Sequence, residues 1–288
     1  MTETVRVPSG PSPERTEPDD IELDLIVEAI YRRWHYDFRS YAEASLRRRL
    51  AAAMRRFGCP TLSALQARLL REPQVFTALL DDLTVQVSEL FRDPPYFRAL
   101  REEVLPHLRT YPSLKLWCAG CSRGEEAYSL AILLREEHLL ERSMIYATDI
   151  NPRALAAAEA GVYEADRMPG FIDNHRKSGG KGSLLDHATV AYGRVVFDKL
   201  LRRHMVFSDH SLATDSVFAE MHLVSCRNVL IYFDRTLQDR AVGLFADSLV
   251  RRGFLGMGSR ETLRFSAHVA AFEEVSATHR IYRKAPDR

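Results

Sequence analysis

The sequence predicts an α/β protein: a doubly wound parallel sheet with helices on both faces, preceded by a small all-α N-terminal domain and interrupted by an inserted small subdomain. Three observations predict it. Residues 21–83 carry apolar side chains at helical spacing, short apolar runs alternate with longer amphipathic stretches after Pro112, and residues 114–129 read as a strand, a turn of small residues and a helix start.

Residues 1–20 hold four of the thirteen prolines and few aliphatic side chains. So little apolar surface cannot offset the entropy of ordering, and a disordered tail is expected. Residues 21–85 form the helical domain, with apolar sets at Ile26, Ile30 and Trp34, at Leu46, Leu50, Met54 and Phe57, at Leu62, Leu65 and Leu69, and at Phe76, Leu79 and Leu83. Gly58-Cys59-Pro60 stops one helix, and Thr61 can cap the next. Residues 86–112 are expected to be a linker carrying part of the site. Residues 113–285 form the ligand-binding domain. Its strands are expected over 114–119, 144–148, 205–207, 221–225 and 254–257, its helices over 125–140, 152–160 and 236–250, and a closing antiparallel hairpin over 272–275 and 278–282. The stretch 161–203 is too long for an ordinary connection and contains Gly179-Gly180-Lys181-Gly182, so it reads as an inserted subdomain or functional loop.

A chain of 288 residues fits this two-domain division at a prior of about 150 residues per domain. With 46% hydrophobic and 27% charged residues, collagen-like and wholly disordered classes are excluded. No apolar run approaches the ~20 residues that span a bilayer, so no membrane insertion is expected. The start lacks the basic cluster and apolar core of a secretory signal, which favours a cytoplasmic chain. A net charge of +1 argues against a surface built for nucleic acid. Four cysteines, at 59, 118, 121 and 226, are too few for a disulfide framework. Cys118 and Cys121 form a lone CxxC with no second pair and no HExxH, so no metal is expected.

The chemistry is carried by the turn after the first strand. A dinucleotide-binding turn would present three glycines and a bare helix N-terminus to a pyrophosphate. This one has Gly120 and Gly124, followed at once by Glu125 and Glu126. Carboxylates there repel a pyrophosphate but suit a cationic ligand, and the cationic nucleoside cofactor is S-adenosylmethionine. Glu125, next to Gly124, is the better candidate for contact; Glu126 reads equally well as a first-turn acid that favours the helix dipole. Asp149, twenty-five residues after Gly124, ends the second strand where a carboxylate can accept both ribose hydroxyls. Arg227 and Asn228 stand at the carboxyl end of a buried strand, Tyr232 can offer its π face to the sulfonium or adenine, and Phe233 reads as core. Ser88-Glu-Leu-Phe-Arg-Asp93 lies at the junction of the two domains, a common place for a site.

These residues resemble the CheR-type chemoreceptor glutamate O-methyltransferases over about residues 21–285. Three motifs carry the resemblance in order: Ser-Glu-Leu-Phe-Arg-Asp at 88–93, Trp-Cys-Ala-Gly-Cys-Ser-Arg-Gly-Glu-Glu-Ala-Tyr-Ser at 117–129, and Cys-Arg-Asn-Val-Leu-Ile-Tyr-Phe-Asp at 226–234. Gly-Met-Gly-Ser-Arg-Glu at 256–261 is similar to the family's late glycine-rich strand ending. The resemblance implies a Rossmann-like class I methyltransferase sheet, and a reaction in which S-adenosylmethionine methylates receptor glutamates and leaves S-adenosylhomocysteine. It further implies that Gln86, Ser88, Arg92, Ala119 and Gly120 reach the cofactor, that Glu125 and Asp149 take its methionine end and ribose, that Ser211 and Leu212 flank the adenine, and that Arg227, Asn228 and Tyr232 close the site. Arg92 and Tyr232 would be the catalytic pair, Arg92 orienting the substrate carboxylate. At a free pKa of about 4.3 that carboxylate is already ionised, so no general base is required.

The chain departs from the family pattern at Arg123 and Ala127, where Thr and Pro are common, and at Ser211, where Asn is frequent. In family members the insertion contains a small β-subdomain that can dock a receptor's C-terminal peptide. Between positions 39 and 56, six arginines against one acid give a local charge of +5. Arg47, Arg48, Arg49, Arg55 and Arg56 are therefore expected to meet the acidic cytoplasmic helical region of a chemoreceptor or related signalling protein. Without interleaved aromatics, this stripe does not read as a nucleic-acid surface. One chain, a monomer, suffices for the cofactor crevice. Two alternatives are a non-catalytic adenosyl-ligand scaffold and a methyltransferase with a small-molecule or amine substrate.

Overall fold

A computed structural model describes residues 17–286. The expected disorder of the first residues lies outside the described residues through position 16. At Pro18–Asp20 the expectation is corrected, because these residues begin helix α1 (Pro18–Trp34). Pro at the first helical position comes with its φ preset, and Asp19 and Asp20 favour the helix dipole. Helices α2 (Glu43–Phe57), α3 (Leu62–Arg71) and α4 (Pro73–Leu83) complete the N-terminal domain. The predicted apolar sets form its core, with Ile26, Ile30, Leu50, Leu65, Leu69 and Leu79 fully buried. Gly58 ends α2 in the left-handed region at φ 64°, and the Thr61 hydroxyl accepts the Ala64 amide at 3.1 Å.

Residues 86–112 are more than a linker. Helix α5 (Pro94–Ala99), a π-helical turn (Leu100–Val104) and α6 (Leu105–Leu108) run almost continuously through them. Phe97, Leu100, Val104 and Leu108 recur at helical spacing and are fully buried in the α/β core.

That domain is built on β1 (Leu114–Ala119), β2 (Ser143–Asp149), β6 (Met205–Asp209), β7 (Met221–Cys226), β8 (Leu249–Met257), β9 (Phe272–Ser276) and β10 (Ile281–Lys284). These strands form one sheet in the order β6-β2-β1-β7-β8-β10-β9. The first five are parallel, and β10 is antiparallel to both β8 and β9. Helices α7 (Glu125–Glu136), α8 (Pro152–Ala160) and α11 (Arg235–Ser248) supply the crossovers. The helix expected over 125–140 stops at Glu136, and the second hairpin strand starts at Ile281, after a turn, rather than at 278. The chain runs outward from β1 through β2 to β6, then crosses back to β7, so the sheet switches direction between β1 and β7. Ligand crevices open outside the carboxyl ends of the strands at such a switch.

The insertion is a subdomain of its own. Strands β3 (Val162–Glu164), β4 (Ala188–Ala191) and β5 (Arg194–Phe197) form an antiparallel sheet in the order β3-β5-β4, with α9 (Met168–Lys177) between β3 and β4 and α10 (Lys199–Arg202) leading back to the main sheet. No helix among the described residues is long and apolar enough to cross a membrane.

Candidate active site

At the switch between β1 and β7 lies a cleft of about 910 Å³, counted to its open mouth. Its walls come from both domains: Tyr41, Thr84, Gln86, Ser88 and Arg92 from the helical side, and Gly120, Ser122, Glu126, Asp149, His210, Leu212, Arg227, Asn228 and Tyr232 from the α/β side. Of the residues expected to hold the cofactor, the structure brings together Gln86, Ser88, Arg92, Gly120, Asp149, Leu212, Arg227, Asn228 and Tyr232.

The turn after β1 is tight. Gly120 has φ 71°, and a Cβ there would stand 2.4 Å from a Val229 methyl carbon, so the β1 and β7 turns touch. Ser122 (φ 51°) and Asn228 (φ 61°) are left-handed without being glycine, a strain of about 1–3 kcal/mol each that the surrounding bonds must hold. The Ser122 amide donates to Asp149 Oδ2 at 2.8 Å, and the Ser122 hydroxyl donates to Gln86 Oε1 at 2.7 Å. Asn228 is held by Glu261, whose carboxylate accepts the amides of Asn228 (3.0 Å), Val229 (2.9 Å) and Gly258 (2.6 Å).

Asp149 ends β2, with Oδ1 accepting the Asn151 amide at 2.9 Å. Burial raises its pKa, against the amides of Asn151 and Ser122, which lower it. Asn151 ties the same corner to the helical domain, its side-chain amide donating to Asp81 (3.0 Å) and Thr84 (2.9 Å).

Three residues expected to contact the cofactor do not line the cleft. Glu125 is buried, with Arg167 donating to its Oε1 at 2.8 Å and its Oε2 without a partner among the described residues. Glu126 lines the cleft instead, accepting from the Ser225 hydroxyl at 2.6 Å and from Arg227 at 3.1 Å. Consecutive helical residues diverge by about 100°, so the two carboxylates take different partners. Ala119 is buried inside β1, one residue short of the opening. The Ser211 side chain turns back on its own loop to accept the Ala213 amide, leaving His210 and Leu212 in the wall. Arg123, the departure that would have set a cation beside a cationic cofactor, is exposed and outside the wall.

The two cleft arginines differ in kind. Arg227 is 1% exposed, paired with Asp93 at 2.8 Å and Glu126 at 3.1 Å, and its guanidinium lies 4.1 Å from the Tyr96 ring centroid. Burial opposes its charge, but Glu126, Tyr96 and Asp93 raise its pKa further. Arg92 has no carboxylate partner among the described residues; its one side-chain bond there runs to the Val87 carbonyl at 3.3 Å. Tyr232 lines the cleft, yet the Arg49 guanidinium lies 4.9 Å from its ring centroid. One face of that ring thus meets a cation of the protein itself.

Sequence reasoning also missed His210. Its Nε2 lies 3.2 Å from the Ser216 carbonyl, which can only accept, so this nitrogen donates there. Nδ1 is buried with no partner among the described residues. Tyr41 and Glu126 complete the acid and aromatic walls. Glu261 acts from behind through Asn228, and its only sequence signal was its place at the end of the glycine-rich strand ending.

The insertion grips the cofactor turn from outside. The Tyr163 hydroxyl donates to the Arg123 carbonyl at 2.8 Å, and Arg167 bridges Glu125 and the Ser88 carbonyl. The basic stripe on α2 is largely consumed. Arg47 pairs with Glu43 and Asp20, Arg56 pairs with Asp82 at 2.9 Å, and Arg49 donates to the Leu83 carbonyl at 2.7 Å. Arg48 and Arg55 remain exposed without an ion pair among the described residues. The +5 expected from the helix alone is therefore not what the surface presents.

S-adenosylmethionine fits these groups. Asp149 can accept hydroxyls, His210 Nδ1 is a buried polar atom without a partner among the described residues, and Glu126 sets negative charge in the wall for a cationic ligand. Residues 86–281 match the family model described as CheR methyltransferase, SAM binding domain, and residues 21–84 match CheR methyltransferase, all-alpha domain. The chain is 55% identical over 92% of its length to a Pseudomonas putida protein provisionally named methyltransferase Cher3, and covers 97% of that protein. It is 30% identical over 85% of its length to a Listeria monocytogenes chemotaxis protein methyltransferase, and covers 92% of it.

Proposed function

The chain belongs to the CheR methyltransferase family, and from that premise we propose that it methylates glutamate side-chain carboxylates in the cytoplasmic helical region of a chemoreceptor, as part of chemotactic adaptation. Arg92 carries this reading. It is a guanidinium in the cleft wall with no carboxylate partner among the described residues, whereas Arg227 is already paired twice. An incoming carboxylate would find in Arg92 a cation able to bind it.

When bound, S-adenosylmethionine supplies an electrophilic methyl group on a sulfonium sulfur. Asp149 would accept the ribose hydroxyls, and Glu126, tied to Ser225 and Arg227, would set negative charge for the cofactor's cationic end. Arg92 would draw in the substrate carboxylate and hold one of its oxygens toward the methyl group, for a displacement that gives a methyl ester and S-adenosylhomocysteine. The nucleophile is already an anion at neutral pH, so no cleft residue has to take a proton. Alignment of otherwise dilute reactants is the main contribution asked of the protein, worth up to about 7–11 kcal/mol in the best intramolecular cases.

Incubation with methyl-labelled cofactor and soluble receptor cytoplasmic fragments tests the proposal. A glutamyl ester releases labelled methanol in alkali, and Arg92→Ala should reduce that release at least about a hundredfold while leaving the fold intact, the scale of one lost electrostatic contact to the reacting group. Alkali-stable product would point to an amine or other substrate. Cofactor binding without any transfer would point to a scaffold.

A further inference from the structure

A second groove shares a wall with the cleft. The chain segment Val229–Phe233 turns between them: Val229, Tyr232 and Phe233 face the cleft, while Leu230 and Ile231 face the groove. Glu261 joins the two from below, lining the groove and holding the amides of Asn228 and Val229. The rest of the groove is formed by the first turns of α11 and by the segment that leaves the carboxyl end of β8, the end of the sheet on which the cleft opens.

Its surface combines apolar area with unmatched positive charge. Phe265 is 77% exposed and Ile231 38% exposed. The Arg235 guanidinium lies 5.5 Å from the Phe265 ring centroid. Neither Arg235, Arg260 nor the neighbouring Arg264 forms an ion pair among the described residues. The two acids of the groove are spent internally. Asp239 accepts from the Ser266 hydroxyl at 2.6 Å and the Ala267 amide at 2.8 Å, pinning the loop that carries Phe265, and Glu261 is committed to three backbone amides. What the groove presents outward is therefore a pinned aromatic ring ringed by free guanidinium groups.

Resting on the reading that the substrate is a glutamate-bearing receptor helix, we propose that this groove docks the acidic amphipathic helix of the substrate, beside the glutamate that enters the cleft. Apolar residues of that helix at i, i+3 and i+4 would cover Phe265 and Ile231, and its acids would meet Arg235 and Arg260. A helix advances 1.5 Å per residue, so residues within one or two turns of the target glutamate reach across the shared Val229–Phe233 wall. The Ala42 amide at the start of α2 donates to the Tyr232 carbonyl at 2.8 Å, so the helical domain meets the other flank of that wall.

The test uses the full chain and a labelled soluble receptor signalling fragment, with binding read by fluorescence anisotropy and methyl transfer read separately. The double variant Arg235→Glu/Arg260→Glu should raise KM and Kd for the fragment about tenfold or more at low salt, with the loss shrinking as salt is added. Phe265→Ala should raise both severalfold at any salt. S-adenosylhomocysteine affinity should stay at the wild-type value in each, which also reports an intact fold. Wild-type KM and Kd in these variants would overturn the proposal, as would dimerisation of the wild-type chain that Phe265→Ala abolishes without changing KM. If wild-type protein binds the fragment through these residues yet transfers no methyl group, docking stands and the glutamate reading falls.

Discussion

Replacing Glu261 tests whether the left-handed Asn228 turn is held from behind. The carboxylate is 4% exposed and accepts three backbone amides, those of Gly258, Asn228 and Val229, at 2.6–3.0 Å. Glu261→Ala leaves three buried donors without a partner, at about 1–3 kcal/mol each. Water entry and relaxation recover part of this, so about 3–5 kcal/mol of destabilisation is expected, near the upper end for single substitutions. At about 2–4 °C per kcal/mol for a chain of roughly this size, calorimetry should show the melting temperature falling by about 10 °C. Glu261→Gln keeps one acceptor oxygen but turns an NH₂ toward a backbone amide, and should lose about a third of that. Cofactor affinity should fall with stability, because Asn228 and Gly120 face each other through Val229. A melting temperature within about 2 °C of wild type for Glu261→Ala would refute the account of what holds the turn.

Three further outcomes follow from the same contacts. Arg167→Ala removes the bridge between Glu125 and the Ser88 carbonyl and should weaken S-adenosylhomocysteine binding about tenfold by calorimetry; Arg167→Lys, which can reach one partner but not fork to both, should recover part of it, and wild-type affinity in the Ala variant would show the bridge to be idle. Asp149 has its pKa raised by burial, so its contribution to stability of the unliganded fold is greatest when protonated and is lost as pH rises through that raised pKa, while cofactor binding, which needs the carboxylate, should weaken as pH falls through it. Calorimetric Kd across that range, flat for Asp149→Asn, checks this. Glu136 shows the opposite sign: burial alone would raise its pKa, but His175, His187 and Arg101 hold it well below the usual 4.5. The stability it confers is complete above that value and drains as pH falls below it, so the melting-temperature gap between wild type and Glu136→Gln should be widest near neutrality and close in acid.

Elements whose signal is local were legible in the sequence. The four N-terminal helices follow from apolar spacing, and β1, β2, β7 and α8 fall at or near their expected bounds, because periodicity and caps are properties of neighbouring residues. The helical path of residues 94–108, expected only as part of a linker, contains Pro94, Pro95 and Pro106; proline breaks a helix interior, but the first two sit at a helix start and the third follows the π-turn. The α2 arginines show the limit more sharply. Counted along the helix they give +5, but Arg47 finds Asp20 and Arg56 finds Asp82, 27 and 26 residues away. Charge on a helix face becomes charge on a surface only after the partners brought by other helices are subtracted.

The choice between Glu125 and Glu126 has the same origin and a larger consequence. Both sit in the first turn of α7 and both satisfy the helix dipole, so nothing nearby separates them. The separation is made about a hundred residues later, where Ser225 and Arg227 at the end of β7 take Glu126 into the cleft, and by Arg167 of the insertion, which takes Glu125 the other way. Each acid therefore belongs to a different circuit. Glu126 is shared with Arg227, Asp93 and Tyr96, so the charge in this part of the cleft wall is tied to the segment leading into α5. Glu125 is shared with Arg167 and the Ser88 carbonyl, so the position of the cofactor turn is set by the inserted subdomain. Arg167 thus ties the insertion to Ser88 and to the start of α7, whereas Asp93 reaches the cleft through its ion pair with Arg227.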